Sequence, residues 1–521
     1  MAVLFANGRV YLGSGRFSDA LVARDGRVAA AGDVRAVRSE HPYATLVDLR
    51  RGVMVPGFTD AHCHFLWWAL QRGRLDLAEE RTLDDALAKI DAYAGRLPDG
   101  AWILGGRFDK NRWGRWPTRE ELDRVSHGHP AVLRSRDGHS RWASTAALRV
   151  ARIGRATPAP DGGEIDRDAS GELTGILREN AIRLLDAVIP EPSDVECLQA
   201  VAAGQSDALR RGLTGIHDLD TPMPPAHRAF QELHDHGELG IRVHMGVPHK
   251  SLDAALDLGI RTGLGDDWLR WSNLKIFSDG SLGSQTAALE EPYAGTDYRG
   301  LLTVDPEQLK RDVRRATTGG IAVAIHAIGD RAVRIALDAI EHAGGSRDRL
   351  RQRLEHVQLV RDGDIARFAR LGVIASMQPI HATSDRDIAD RYWGERCRRA
   401  YPWRAFRDAG VTLAFGSDAP VEPIDPLLGL YAAVARKRPS DAAPWYPEQR
   451  LDLQGALAGY TSGAAYAVSR EAELGTLDVG KWCDAVVLDR DVFREPPEAL
   501  LEAKVRATIT ASVVRYDGGL G

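Results

Sequence analysis

Three His-x-His pairs occur in this chain: His62 and His64 in VMVPGFTDAHCHF, His127 and His129 in SHGHP, and His234 and His236 in FQELHDHG. Two imidazoles one residue apart can share a divalent cation only if both project the same way. In a strand they do, because side chains alternate with a period of two. On a helix, positions two apart do not face each other, which disfavours His234 and His236 at the end of AHRAFQELHDHG. His127 and His129 sit in a turn. Only His62 and His64 close an apolar, strand-like run.

The same test on other apolar runs gives a set. His326 ends IAVAIHAIGD, His356 ends RLEHVQLV and Asp418 ends VTLAFGSDAP. Lys275 lies inside NLKIFSDG, where a bare ammonium is costly to bury. Imidazole and carboxylate donors suit zinc and similar divalent ions. Taken singly, each histidine reads as a packed core or loop residue. Together, four histidines and an aspartate at strand ends read as a metal site. Two of the residues have plain alternatives: Lys275 could snorkel to the strand edge, and Asp418 could cap the helix after SDAP. Asp60 is placed to orient a ligand imidazole. Cys63 points away from both histidines and reads as packing. His217 and His244 also end strands and read as pocket-wall or orienting residues. Asp330 reads as a brace for the His326 loop.

The elements that must position these donors follow from hydrophobic patterning. Eight near-continuous apolar runs (VMVPGFTDA, GLTGIHDLD, GIRVHMGVP, NLKIFSDG, IAVAIHAIGD, RLEHVQLV, VIASMQP and VTLAFGSDAP) alternate with helical stretches such as VECLQAVAAGQSDALRRG and QLKRDVRRATTGG. That is the pattern of an α/β (β/α)8 TIM barrel, whose active sites form at the carboxyl ends of its strands. Short β-like runs broken by glycine occupy both chain ends, and neither end alone has enough strands for a stable sheet. The economical solution is one composite β-sandwich from residues 1–54 and 468–521, with the barrel at 55–467. A segment rich in Trp, Arg, Gly and Pro, about 67–192, interrupts the barrel after its first strand. It reads as an inserted subdomain over the barrel mouth. Trp113 in NRWGRW, Asp137 and His139 in RDGH, and Gln285 in GSLGSQ are the candidates for substrate contact, in an apolar pocket with aromatic walls.

Composition narrows the partners. Lys plus Arg is 68 and Asp plus Glu is 73, a net charge of −5. That balance argues against nucleic acid or an anionic membrane as partner. No stretch approaches the ~20 apolar residues that span a bilayer, and MAVLFANGRVYLGSG reads as a strand and turn rather than a signal peptide. Cys63, Cys197, Cys397 and Cys483 are scattered without a CxxC, which fits a reducing cytoplasm.

PGFTDAHCHF, Lys275, His326, His356 and Asp418, with KIFSDGSLGSQTAAL, IHAIGDRAV, LEHVQLV and FGSDAPVEPIDPLLG, resemble the amidohydrolase superfamily. Within it they are similar to the amidohydrolase-3 branch of YtcJ-like proteins and N-substituted formamide deformylases, across essentially the whole chain. The resemblance implies that His62, His64 and Asp418 hold a first metal, that His326 and His356 hold a second, and that Lys275 bridges both as an N-carboxylated lysine. Burial would leave Lys275 neutral and nucleophilic enough for that modification. Asp418 would be both ligand and proton shuttle. A divalent metal brings the pKa of bound water toward ~7 and so supplies hydroxide. One or two ions are expected, zinc first, with iron, manganese or nickel as alternatives. The implied function is hydrolysis of a non-peptide C–N bond in a small amide, such as an N-substituted formamide, by a protein that could be a homodimer. Deamination or cyclic-amide hydrolysis on the same site is the alternative within the class. A non-catalytic scaffold is the alternative outside it, disfavoured because no donor position is missing.

Overall fold

The computed structural model describes residues 2–135, 138, 140–160, 163–219, 226–283, 285–346 and 350–520. Two compact units account for the chain. One comprises Met1–Trp67 with Val201–Gly521, the other Trp68–Ala200.

The first unit is built on eight strands: β1 (Phe58–Cys63), β2 (Leu213–Asp218), β3 (Arg242–Pro248), β4 (Leu269–Phe277), β5 (Val323–Ala327), β6 (Arg353–His356), β7 (Ile374–Met377) and β8 (Leu413–Phe415). They lie side by side in sequence order, each parallel to the next. Parallel neighbours need crossovers, and helices supply them. Pro306–Thr318 leads from β4 to β5, with Pro306 at its first turn and the Asp305 side chain capping it. Asp330–His342 leads from β5 to β6 and Asp362–Leu371 from β6 to β7. The result is the (β/α)8 barrel expected from the alternation of apolar runs. Its strands are buried on both faces, as helix-covered parallel sheets require.

Two further sheets flank the barrel strands in sequence. A six-stranded sheet runs in the order Val513–Asp517, Val505–Thr510, Ala485–Leu488, Val53–Pro56, Arg9–Gly13, Arg16–Ser18, so both chain ends contribute to it. A four-stranded sheet comprises Arg27–Gly32, Ala20–Arg24, Ala2–Ala6 and Thr45–Asp48. Phe5, Leu21, Met54, Val487 and Ile509 share one buried cluster between them.

The run VMVPGFTDA is not one strand. Val53–Pro56 pairs with Ala485–Leu488 in the six-stranded sheet, and the barrel begins only at Phe58. Pro56 has no N–H to continue a ladder. At Gly57 a Cβ would sit 2.2 Å from Thr214 Oγ1, so the chain can cross between sheets only with glycine there.

The second unit has its own six-stranded sheet, from Leu75–Asp76 to Gly163–Arg167, and its own core around Phe108, Leu133 and Trp142. Among the described residues no helix is long and apolar enough to cross a membrane.

Candidate metal centre

The barrel closes where β1 meets the loop after β8, and the candidate ligands are part of that seam. The Asp418 amide donates to the His62 carbonyl at 2.7 Å, and the His64 amide to the Ala419 carbonyl at 2.8 Å. Asp60 reinforces the seam from below. Its Oδ1 accepts from the backbone N–H of His62 (3.1 Å) and Ser417 (3.0 Å), and its Oδ2 accepts from Ser417 Oγ at 2.5 Å. Asp60 therefore holds backbone and not an imidazole, contrary to the expectation from sequence. Burial pushes its carboxyl up to about 6 in spite of these bonds. Approach this close leaves no room at Gly416, where a Cβ would lie 2.4 Å from His62 N and 2.6 Å from Asp60 Oδ1. Asp418 itself has φ +58, in the left-handed region that aspartate tolerates better than most non-glycine residues.

Three donors converge at this seam. Asp418 Oδ1 is 3.4 Å from His62 Nε2 and 3.1 Å from His64 Nε2. Lys275 Nζ, reaching in from β4, is 3.3 Å from His62 Nε2. Donors about 2.1 Å from a tetrahedral zinc stand about 3.4 Å from one another. The spacing and the chemistry of this donor set fit a divalent ion. His62, His64 and Asp418 are all buried and form one group with ligand atoms within 4.8 Å of each other. The His356 ring lies 4.8 Å from that of His62, and the His326 ring 4.5 Å from that of His356. The structure thus gathers all six sequence-predicted residues at one end of the barrel.

Electrostatics set their protonation. Burial pulls His62 down to about 4 and His326 down to about 3, so both imidazoles are neutral and offer a lone pair. Burial also lowers Lys275 to about 8, against the pull of Glu355 and Asp418. For Asp418, burial acts to raise the pKa. The hydrogen bond from His64 and the nearby His62 and His356 outweigh it and hold the carboxyl well below its usual range.

Two residues that the sequence did not reveal orient His62. Glu355 Oε2 is 2.6 Å from His62 Nδ1, and both side chains are fully buried. Arg353 clamps the same carboxylate, with Nε 2.5 Å from Oε1 and Nη2 3.0 Å from Oε2. It also donates to the Ala61 carbonyl and to Ser376 Oγ. Burial alone would raise Glu355; the Arg353 guanidinium and His62 hold it well below the carboxylate range. An ionised carboxylate can only accept, so His62 Nδ1 carries the proton and Nε2 faces the site. His217 Nδ1 accepts from Arg353 Nη1 at 2.9 Å, and the His244 ring lies 5.1 Å from that of His217. These two histidines belong to the same buried polar layer.

The His326 loop is held by Asp279 rather than Asp330. Asp279 accepts from the amides of Ile328, Gly329 and Ala288 at 2.9–3.0 Å. Asp330 accepts from the Glu290 amide at 2.9 Å. Cys63 packs with its thiol 3.7 Å from the His217 carbonyl. The other two His-x-His pairs are occupied locally: His127 with Asp91, His129 with the Ala101 carbonyl, His234 with Asp266 and His236 with Glu232.

Of the candidates for substrate contact, two lie within the described residues. Gln285 is half-buried in the loop after β4, with φ +59. Trp113 stacks on Phe108 at 5.5 Å, meets Trp142 edge-on, and donates its indole N–H to the Glu80 carbonyl at 3.2 Å. It is half-buried and packs against the core of its own unit. Asp137 and His139 lie outside the described residues.

Comparison with known proteins assigns the chain to a family. A family model described as the amidohydrolase family matches residues 45–516. YtcJ of Bacillus subtilis is 32 % identical over 99 % of this chain and 100 % of its own. The N-substituted formamide deformylase of Arthrobacter pascens is 30 % identical over 99 % of this chain and 98 % of its own. A crystal structure of a metal-dependent hydrolase from Pyrococcus horikoshii superposes with a TM-score of 0.80 at 29 % identity, covering 95 % of this chain and 99 % of that one. On these grounds the chain belongs to the amidohydrolase family and is a hydrolase.

Proposed function

We propose that this protein hydrolyses a non-peptide C–N bond, with an N-substituted formamide or related small amide as substrate. The observation that carries the reading is the Asp418 carboxylate, whose Oδ1 lies 3.4 and 3.1 Å from the Nε2 atoms of His62 and His64. His62, His64 and Asp418 would hold one divalent ion, with His356, His326 and Lys275 available for a second. Zinc is the first candidate, since neutral imidazole and carboxylate suit it. A divalent cation bound there supplies Lewis acidity, which acidifies water and polarises a carbonyl.

The chain's own groups perform the proton transfers. Asp418 is held ionised, so it can accept the proton released as water adds to the amide carbon. As the C–N bond breaks, the same carboxyl delivers that proton to the departing nitrogen. Formate and an amine would be the products from a formamide. Lys275, brought down to about 8 by burial, has an accessible neutral form. Its Nζ can add to CO2 with loss of one proton, and the resulting carbamate would offer two oxygens to bridge two ions. Similarity over the full length to a formamide deformylase supports the formyl group as the acyl part.

The test is a panel of N-alkyl and N-benzyl formamides, acetamides and cyclic amides, with formate and amine release measured separately. Metal-dependent release of both from formamides is expected. Turnover of cyclic amides alone, or of none, would contradict the substrate class.

A further inference from the structure

His381 was not singled out by its sequence context, MQPIHATSD, yet the fold delivers it to the barrel mouth. It lies in the short helix Pro379–Ser384 that follows β7 directly. The side chain is buried, at 6 % exposure, and among the described residues its Nε2 has no hydrogen-bond partner. A buried polar atom left without a partner is costly. Nε2 lies 3.6 Å from Asp418 Oδ2, too far for a hydrogen bond and close to the separation of two donors sharing one ion. His356, His381 and Asp418 offer ligand atoms all within 4.8 Å of one another. The two imidazole planes are inclined by only 10°, with centroids 6.0 Å apart.

Both rings are held from behind by glutamines exchanged between neighbouring strand ends. Gln378, at the end of β7, places Oε1 2.8 Å from Nδ1 of His356 on β6. Gln358, just beyond β6, places its amide 3.3 Å from Nδ1 of His381 beyond β7. Gln358 Oε1 has no partner among the described residues, and a half-turn of the amide brings that oxygen onto Nδ1. Each Nδ1 then donates to a glutamine oxygen, and each Nε2 lone pair is left to face Asp418. Outer hydrogen bonds of this kind fix the tautomer of metal-ligating histidines.

We propose that His381 is a ligand for a divalent cation, sharing with His356 and Asp418 Oδ2 a position beside the one formed by His62, His64 and Asp418 Oδ1. His326 would then stand at the edge of this position. Its Nε2 is 3.1 Å from the Gly280 carbonyl, which leaves only Nδ1 for an ion. The proposal rests on the metal-hydrolase reading, and the test separates the two.

The metal-free protein is titrated with Zn2+ alone, and stoichiometry and affinity are read for wild type, His381→Gln and His62→Ala. We expect wild type to bind two ions. His381→Gln should keep the first and bind the second at least about 10-fold more weakly. Two ions bound with unchanged affinity in His381→Gln would overturn the assignment while leaving the metal site intact. No ion bound by wild type would overturn both. Should His381→Gln not fold, the Zn2+-loaded wild-type crystal decides by anomalous scattering. A zinc peak about 2.1 Å from His381 Nε2 is expected, and a peak beyond bonding distance from it would overturn the proposal.

Discussion

Oε2 of Glu355 lies 2.6 Å from Nδ1 of His62, between a guanidinium that holds it ionised and an imidazole that faces the candidate metal position. This contact makes Glu355 a determinant of metal affinity without being a ligand. In Glu355→Gln the carboxylate charge is lost and Arg353 is left buried without its counter-charge. Zn2+ affinity is expected to fall about 10- to 100-fold, with a stability loss of about 3–5 kcal/mol. Competition against a chelator and thermal melting check both. Wild-type affinity in a folded Glu355→Gln protein would contradict the role.

Asp418 carries the proton in the proposed reaction. Asp418→Asn keeps the shape and the backbone bond to His62, since that bond uses the amide. Formamide turnover is expected to drop by at least about 10²-fold, with the melting temperature close to wild type. Steady-state kinetics on the preferred formamide would show it.

Asp60 holds the seam rather than the metal. Asp60→Ala removes the acceptor for three buried donors. At about 1–3 kcal/mol for each unsatisfied group, a destabilisation on the order of 3 kcal/mol is expected. Urea unfolding should show a lower midpoint, and zinc should restore part of it by binding only the folded chain.

Acid sensitivity has a source outside the candidate ligand set. His227 is buried with its ring 4.8 Å from that of Trp271, and burial lowers it from 6.5 to about 4. Below pH 6.5 the unfolded chain takes up a proton that the folded chain refuses until about pH 4. Stability therefore declines as pH falls through that window, by on the order of 3 kcal/mol from this residue. His227→Leu should flatten the decline between those two pH values in urea melts, relative to wild type.

Lys275 should carry CO2. Protein equilibrated with 13C-bicarbonate and zinc is expected to show a carbamate carbon by NMR, and Lys275→Met to lack it. An unlabelled wild type would leave Lys275 as a plain amine.

The sequence exposed the residues whose position follows from strand parity. His62 and His64 both face inward because they are two apart, and Lys275 stands out as a charge in an apolar strand. Glu355 stayed hidden because it is the immediate neighbour of His356, and alternation predicts opposite directions for adjacent residues. His356, with φ +72, leaves the strand path at that point, so both side chains reach the interior. Arg353 and Glu355, two apart, share the inward face, and parity alone could have paired them. His381 lies on a helix after β7, where a search of strand ends does not look. The split of VMVPGFTDA between two sheets was signalled by Pro56 and Gly57, but apolar continuity concealed it. Asp60 pairs with two backbone amides, which carry no mark in the sequence, and with the Ser417 hydroxyl, which lies 357 residues away.

The most direct measurement is metal content per chain by plasma mass spectrometry, made in parallel on wild type and on the His62→Ala/His64→Ala double variant after identical zinc reconstitution. Wild type is expected to retain two ions per chain, and the double variant to lose at least one while its circular dichroism is unchanged. Equal metal content in the two folded proteins, or none in wild type, would contradict the assignment of this site.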